Sequence, residues 1–540
     1  MVVALLAAAC GSDDDLGAAD EVAAAVSAVS FGPSACGGAF VAHDLPHTTT
    51  PTSQVVAMVD GTGTGVLAED LDGDGLVDLV LPNLTGGATL LWNRGGLAFE
   101  ATALADVGRF RQAITFDIDD DGDRDLMLST GVGPPQPFYA DSPTGPYDRA
   151  EIRELGLITF SLSPGDLEGD GDVDLVASSY AVELTVNRDL RALSGIDIGT
   201  AVYRPPDTGF EEELLSDSAQ ALVSQIVDID GDGRSDVVVG NDLGTPDRFW
   251  LGSDFGLTLT QLFDTTTLST MSMDVGDVDN DGDRDLIATD MKPMPGAPVG
   301  PWEELADDIE AARVDDVQVP ENVVQLRADD GYEQVAATLG VDATGWSWSG
   351  LLGDLDHDGL QDLYVVNGMQ AEGMFDSLPE SELVEANQAF RNLGDDFAGA
   401  PEWELASERG GRGMAMADFD DDGDLDIVVN NLGAPTQLFE NQLCGGASLV
   451  IEPRWSGAQN LDALGATVVV DSGELSQQRI ITATRGYLSG SPTQAHVGLP
   501  SGEPVQVSIT WPDGLTTRLD DVEPGHRIVV DRSEPVRSEP

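Results

Sequence analysis

The chain has 540 residues, 97 acidic against 25 Lys and Arg, a formal net charge of −72, and three cysteines. So acidic a surface repels nucleic acid and anionic membranes, whose binding relies on clustered lysine and arginine; Lys292 is the single lysine, and no basic stripe is present. Length alone gives a prior of several domains, but internal repetition overrides it.

Met1 to Cys10 reads Met-Val-Val-Ala-Leu-Leu-Ala-Ala-Ala-Cys. An apolar run, small residues and then a cysteine resemble a bacterial lipoprotein signal, which implies a signal over 1–9 and lipidation at Cys10, although no basic residue precedes the run. The chain is then expected to be exported, to the bacterial cell envelope or the extracellular space, and to touch a membrane only through that anchor. No other stretch has the length needed to span a bilayer. Residues 10–37, rich in Ala, Asp, Gly and Ser, read as a linker. His43 and His47 are four apart, but Pro46 between them argues against a helix that would align them as ligands, and both read as surface residues.

From Asp70 onward one nine-residue pattern recurs seven times, with acidic residues at positions 1, 3, 5 and 9 and glycine at position 6. The expected cation ligands are Asp70, Asp72, Asp74 and Asp78; Asp117, Asp119, Asp121 and Asp125; Asp166, Glu168, Asp170 and Asp174; and Asp228, Asp230, Asp232 and Asp236. They continue with Asp277, Asp279, Asp281 and Asp285; Asp354, Asp356, Asp358 and Asp362; and Asp418, Asp420, Asp422 and Asp426. Calcium takes six to eight hard oxygens, and alternate carboxylates on a coiled loop can all turn inward, while glycine permits the sharp turn. An EF-hand would need a bidentate glutamate at position 12; Leu81, Leu128, Ala177, Val239, Ala288, Val365 and Val429 stand there instead. The expected cofactor is Ca2+, up to one ion per loop, structural rather than catalytic.

Each position-9 aspartate leads into a short branched apolar run such as Leu79-Val80-Leu81, the mark of a buried strand. In the first repeat, strands at 65–67, 79–81, 89–93 and 98–102 surround the loop and a turn at Arg94-Gly95-Gly96. Four-stranded units at this spacing predict a β-propeller, and seven loops predict seven blades over residues 38–444. Wider spacings mark insertions: 292–320, with a short surface helix over Trp302–Arg313, and about 370–391, with a similar segment over Ser381–Phe390. In the last repeat the third strand, Thr436–Asn441, runs into Cys444 rather than into a fourth. Ala39-Phe40-Val41-Ala42, just after Cys36, has the form of the first repeat's fourth strand, Ala98-Phe99-Glu100-Ala101. The N-terminal strand is therefore expected to complete the last blade, with a Cys36–Cys444 disulfide in place of the hairpin turn; with Cys10 lipidated, this even pair suits an oxidising compartment.

Past Gly445 the acidic loops stop. Runs at 448–451, 466–470, 479–482, 505–511 and 527–530 predict a small all-β domain over 445–532, followed by a tail over 533–540. The fold class is all-β: a seven-bladed β-propeller with a small C-terminal all-β domain. The repeats resemble FG-GAP or VCBS calcium-loop propellers. Leu464-Gly465-Ala466, Gly486-Tyr487-Leu488-Ser489, His496-Val497-Gly498-Leu499 and Trp511-Pro512-Asp513-Gly514 resemble, in order, the ASPIC and UnbV domain. Gly345-Trp346-Ser347-Trp348 and Val366-Asn367-Gly368 are similar to bacterial relatives of cartilage acidic protein.

The resemblance implies an exported calcium-binding protein. The leading expectation is a binding or adhesion scaffold for an unidentified protein or glycan ligand. The alternatives are a polysaccharide lyase or hydrolase working in the propeller funnel, or an accessory protein of a biosynthetic or secretion assembly. No Gly-x-Ser-x-Gly elbow, His-Glu-x-x-His motif or phosphate-binding glycine loop is present, so no catalytic residue is assigned. His357, at position 4 of the sixth loop, is expected to point outward, and Trp346 and Trp348 read as core rather than as sugar platforms.

Overall fold

The computed structural model describes residues 21–105, 107–150, 152, 155–180, 198–205, 210–297, 300–303, 317–328, 331–473 and 475–533. The expected signal, Cys10, and the tail from 534 lie outside the described residues. So does all of the expected Trp302–Arg313 helix beyond Gly300–Glu303, which is helical.

The apolar runs behind the position-9 aspartates are strands, and every residue in them is buried: Asp78–Pro82, Asp125–Leu128, Asp174–Ser178, Asp236–Asn241, Asp285–Thr289, Asp362–Asn367 and Asp426–Asn431. Burial on both faces is why they read as continuous apolar runs rather than alternating ones. Each belongs to an antiparallel sheet of four strands, or five in the sixth. In the first sheet the order is Leu67–Glu69, Asp78–Pro82, Ala88–Asn93 and Phe99–Ala105.

The strands that enter the loops line a common axis and close into a ring through contacts between successive sheets. Gln112 exchanges side-chain hydrogen bonds with the Leu162 backbone, Ser163 Oγ accepts from Ile226 N, and Gln225 Nε2 donates to Met273 O. Ser272 Oγ accepts from Gly350 N, and Gly413 N and Asn430 Nδ2 return to Thr64 and Gly65. This is propeller architecture.

The last of these sheets is completed from the other end of the chain. Val41–Thr48 pairs antiparallel with Pro435–Glu440, Val41 lying opposite Glu440, and Cys36 is bonded to Cys444. His43 pairs with Glu440 at 2.7 Å. His47, expected at the surface, is buried instead, its Nδ1 3.0 Å from Thr89 Oγ1. The strand sets its exposure where helical spacing had been considered.

The C-terminal unit has two four-stranded sheets. Thr467–Asp471 pairs with both Ser476–Ile480 and Val505–Thr510, and Thr516–Val522 forms an edge. In the other sheet Ala447–Arg454 lies between Ala495–Leu499 and His526–Asp531. The outer strand beyond His526–Asp531 is Ala25–Ser30. Part of the expected 10–37 linker is therefore structured: Val22 is buried, Ala24 and Val26 are half-buried between exposed neighbours, and the open sheet edge supplies the backbone partners. A second correction falls on Ser381–Phe390. It is not a helix; Gln388–Asn392 is a strand of the sixth sheet, paired with Asp362–Asn367. The acidic residues preceding it resemble a helix start, and the tertiary pairing overrides that local signal.

The C-terminal unit also fills the propeller's axis. Gly486 N donates to Met273 O, Ser489 Oγ accepts from Val66 N, and Gly490 exchanges backbone hydrogen bonds with Val66 and Ala68. Tyr487 is fully buried and its hydroxyl donates to Thr62 O at 2.8 Å, at the end of the inner strand remote from the loop. A Cβ on Gly65 would stand 1.6 Å from Leu488 O, so only glycine fits.

Because the ring is closed by a strand 408 residues away from its covalent partner, Cys444→Ser is expected to lower stability by about 3–5 kcal/mol in the chain-entropy account. Scanning calorimetry at saturating calcium reads the effect. An unchanged melt would mean that strand pairing alone closes the ring.

Candidate metal centres

The seven loops share one hydrogen-bond scheme. The position-1 carboxylate accepts the backbone N–H of the position-6 glycine at 2.8–3.2 Å in every loop. The position-5 carboxylate accepts the N–H two residues on, as with Leu76 N to Asp74 Oδ1 at 2.9 Å. The backbone thus coils around its own acids. In at least five loops one oxygen from each of positions 1, 3 and 9 lies within 4.8 Å of the other two: Asp70, Asp72, Asp78; Asp117, Asp119, Asp125; Asp228, Asp230, Asp236; Asp277, Asp279, Asp285; and Asp354, Asp356, Asp362. Position 5 is not part of these five groupings. In the third loop Glu168 hydrogen-bonds to Asp174, and in the seventh Asp420 and Asp422 share a hydrogen bond.

Position 9 has a further task. Its Oδ2 accepts the N–H of position 2 at 2.7–3.2 Å in all seven loops. In six, Oδ1 accepts a backbone N–H from the third strand or the residue just after it at 2.7–2.9 Å. This residue therefore pins loop to sheet as well as facing the acid cluster.

Burial, reinforced by neighbouring carboxylates, raises these groups far above the usual carboxylate range. Asp125, Asp236 and Asp285 rise to about 7, Asp78 to about 8 and Asp174 to about 9. Hard anionic oxygens clustered this closely, and strained towards protonation, fit a divalent cation of the calcium class.

The C-terminal unit sits directly on the loops. Asn460 N donates to Gly171 O, Gln459 Nε2 to Asp117 O, Ser448 Oγ to Gly423 O, and Gly498 N to Asp354 Oδ2. Arg124, at position 8 of the second loop, donates to Asp70 O at 2.8 Å and to Asp462 Oδ1 at 2.6 Å. Burial alone would raise Asp462, but Arg124 and Arg454 outweigh it and hold the carboxyl below its ordinary value. Asp277, Asp354 and Asp418 line a cavity of about 70 Å³ with Arg479, Arg485 and His496. His357 is 3% exposed, because the surface it turns towards is covered by this unit.

Three asparagines escaped the sequence reading. Asn93, Asn392 and Asn441 each end a third strand and donate through Nδ2 to two loops. Asn93 reaches Val77 O and Phe419 O, Asn392 reaches Gln361 O and Val278 O, and Asn441 reaches Leu425 O and Leu355 O. Each joins position 8 of its own loop to position 2 of the preceding one. The recurring Leu-Trp-Asn, Phe-Arg-Asn and Phe-Glu-Asn at strand ends carried the signal.

Two outcomes follow from this division of labour. With calcium chelated, Asp236→Ala is expected to cost about 3 kcal/mol in urea unfolding, because the N–H groups of Ile229 and Gly252 lose their acceptor, whereas Asp232→Ala at exposed position 5 changes metal-free stability by less than about 1 kcal/mol. Equal costs would refute the pinning role. The second concerns pH: the raised folded values, against roughly 4 in the unfolded chain, give the loop acids a contribution to metal-free stability that is full below about pH 4 and is lost as pH rises through 7–9. Melting temperature in chelator should fall from pH 5 to 8 more steeply than in calcium; parallel curves would show that the loop carboxylates are not responsible.

Residues 70–128, 228–288 and 381–429 match the FG-GAP-like repeat family, and residues 456–537 match ASPIC and UnbV. Cartilage acidic protein 1 of Homo sapiens is 36% identical over 116 residues, which are 20% of this chain and 17% of the human protein. The match thus spans about a sixth of that relative. Among solved structures, YCF48 bound to D1 peptide is 11% identical, covering 76% of this chain and 97% of that one at a TM-score of 0.40. A rhamnogalacturonan lyase of Bacillus licheniformis is 11% identical, covering 74% and 75% at 0.37. Overlaps this loose carry no argument about fold or activity. The ring of sheets, the repeated loops and the unit seated over them agree with the two family matches: the chain is an FG-GAP-like repeat β-propeller with a C-terminal ASPIC and UnbV domain.

Proposed function

We propose that this protein is a calcium-loaded, exported binding scaffold, with its seven sheets as blades and one structural Ca2+ in each acidic loop. The observation that carries this reading is the convergence of carboxylates at positions 1, 3 and 9, those at position 9 and most at position 1 being buried. Buried charge requires a partner of opposite sign, and hard oxygen donors select calcium over softer ions. Such ions would clamp the loops to one another and to the domain that covers them. The Cys36–Cys444 bond supports assembly in an oxidising compartment, and no helix among the described residues is long and apolar enough to cross a membrane.

The ligand is a protein or glycan, and not nucleic acid, given the charge balance. Its site lies away from the inner parts of the loops, since the C-terminal domain covers them. An enzyme working in the funnel, as a lyase or hydrolase, is the less favoured reading because Gly486–Gly490 and Tyr487 occupy the axis. Trp346 and Trp348 are buried at 5% and 2% exposure and unavailable for stacking on a sugar.

Chelation is expected to lower the melting temperature by more than about 10 °C, a mass-action effect of several sites at once, and calcium should restore it. Isothermal titration of the chelated protein should then resolve uptake of several ions. An unchanged melt would end the calcium reading. Glycan-array and protein-capture binding at saturating calcium, beside turnover assays on polysaccharides, separates scaffold from enzyme: turnover that survives while no ligand is retained would overturn the scaffold.

A further inference from the structure

The chain has five histidines, and two of them meet where the sixth and seventh loops press against Ala495–Leu499. The rings of His357 and His496 have centroids 5.4 Å apart and planes tilted by 36°. His357 belongs to the propeller and His496 to the domain above it. His357 Nδ1 lies 3.2 Å from Gly446 O, and His496 Nε2 lies 2.9 Å from Gly423 O. A carbonyl oxygen only accepts, so in each contact the named nitrogen carries the hydrogen and the other ring nitrogen holds a lone pair. Those two atoms, His357 Nε2 and His496 Nδ1, are buried and have no hydrogen-bond partner. Buried polar atoms are seldom left so.

A ring that donates from one nitrogen to a backbone carbonyl and offers the other as a lone pair is oriented as metal-ligating histidines are. The spacing agrees. Two imidazoles sharing a tetrahedral ion at Zn–N distances of about 2.0–2.1 Å place their ring centres roughly 5 Å apart. Negative charge lies beside the pair: Asp424 Oδ1 is 3.6 Å from His357 Nδ1, at the edge of the ring that faces Gly446 O rather than at the lone pair. We propose that His357 Nε2 and His496 Nδ1 bind one transition-metal ion of the Zn2+ class, with water or a carboxylate oxygen completing the set, so that the ion staples the C-terminal domain to the propeller. Imidazole nitrogens suit such an ion where the oxygen-only loops suit calcium. Because His357 stands at position 4 of the sixth loop, the site is tested with the loops already filled. The competing occupant is a single water donating to both lone pairs.

The full chain, saturated with Ca2+, is titrated with Zn2+ by calorimetry and with Co2+ by visible absorption. One equivalent is expected, with the intense ligand-field bands of a tetrahedral site. His357→Gln and His496→Gln should each remove that equivalent, while His43→Gln, which alters the surface pair with Glu440, and His526→Gln should leave it in place. No uptake by the calcium-saturated wild type, or uptake that survives both His357→Gln and His496→Gln, overturns the proposal. Should either variant fail to fold, X-ray absorption on the zinc-loaded wild type decides: two imidazole nitrogens in the first shell support the site, and an all-oxygen shell overturns it.

Discussion

Negative charge removed from water has to be neutralised, and the architecture is arranged around that requirement. The loops bring carboxylates together, and glycine N–H groups answer part of the charge from within. Arginines answer more: Arg284 lies 3.1 Å from Asp228 Oδ2, and Arg485 holds Asp274 at 2.8 and 2.6 Å. What these groups leave is a set of acids raised towards neutral pH by burial, the electrostatic demand a hard cation would meet. The C-terminal domain intensifies that demand by excluding solvent, and so couples its own seating to the state of the loops beneath it.

The same domain is not a separate folding unit in the physical sense. One apolar cluster contains Ile114, Leu162 and Leu175 of the propeller together with Leu449, Trp455 and Val507 of the domain. Another joins Trp348 and Met414 to Tyr487 and Leu488. Contact along the axis is so close that Gly413, like Gly65, has no room for a Cβ, which would meet Gly65 Cα at 2.4 Å. Repetition of sequence marks the blades, but the core is continuous across the join.

Features with a local cause were legible in the sequence. The loops repeat, each position-9 aspartate precedes a branched run, and the missing fourth strand at Cys444 pointed to the segment after Cys36. Features decided by a distant partner were not. Ala25–Ser30 is a strand because His526–Asp531 offers it an edge, and its own alanines and serines, mostly exposed, leave only two valines to favour a strand. Gln388–Asn392 follows an acidic stretch that mimics a helix start, and Asp362–Asn367 fixes it as a strand. The loop acids were found by pattern, but the double role of position 9 depends on third-strand N–H groups that no nine-residue motif contains.

The placement of the loops also bears on where recognition occurs. Read one at a time, acidic loops at the end of a propeller look like an exposed ligand face. Here Gly171, Gly282, Asp354 and Gly423 are hydrogen-bonded to Asn460, Gln478, Gly498 and Ser448. Loop atoms committed to these bonds cannot also bind an external partner without lifting the domain, which would strip Tyr487 and Leu488 from the axis and expose their apolar core. Large-to-nothing changes of that kind cost several kcal/mol for each buried side chain. The loop atoms beneath the domain are therefore interior, while position 5 of most loops stays exposed.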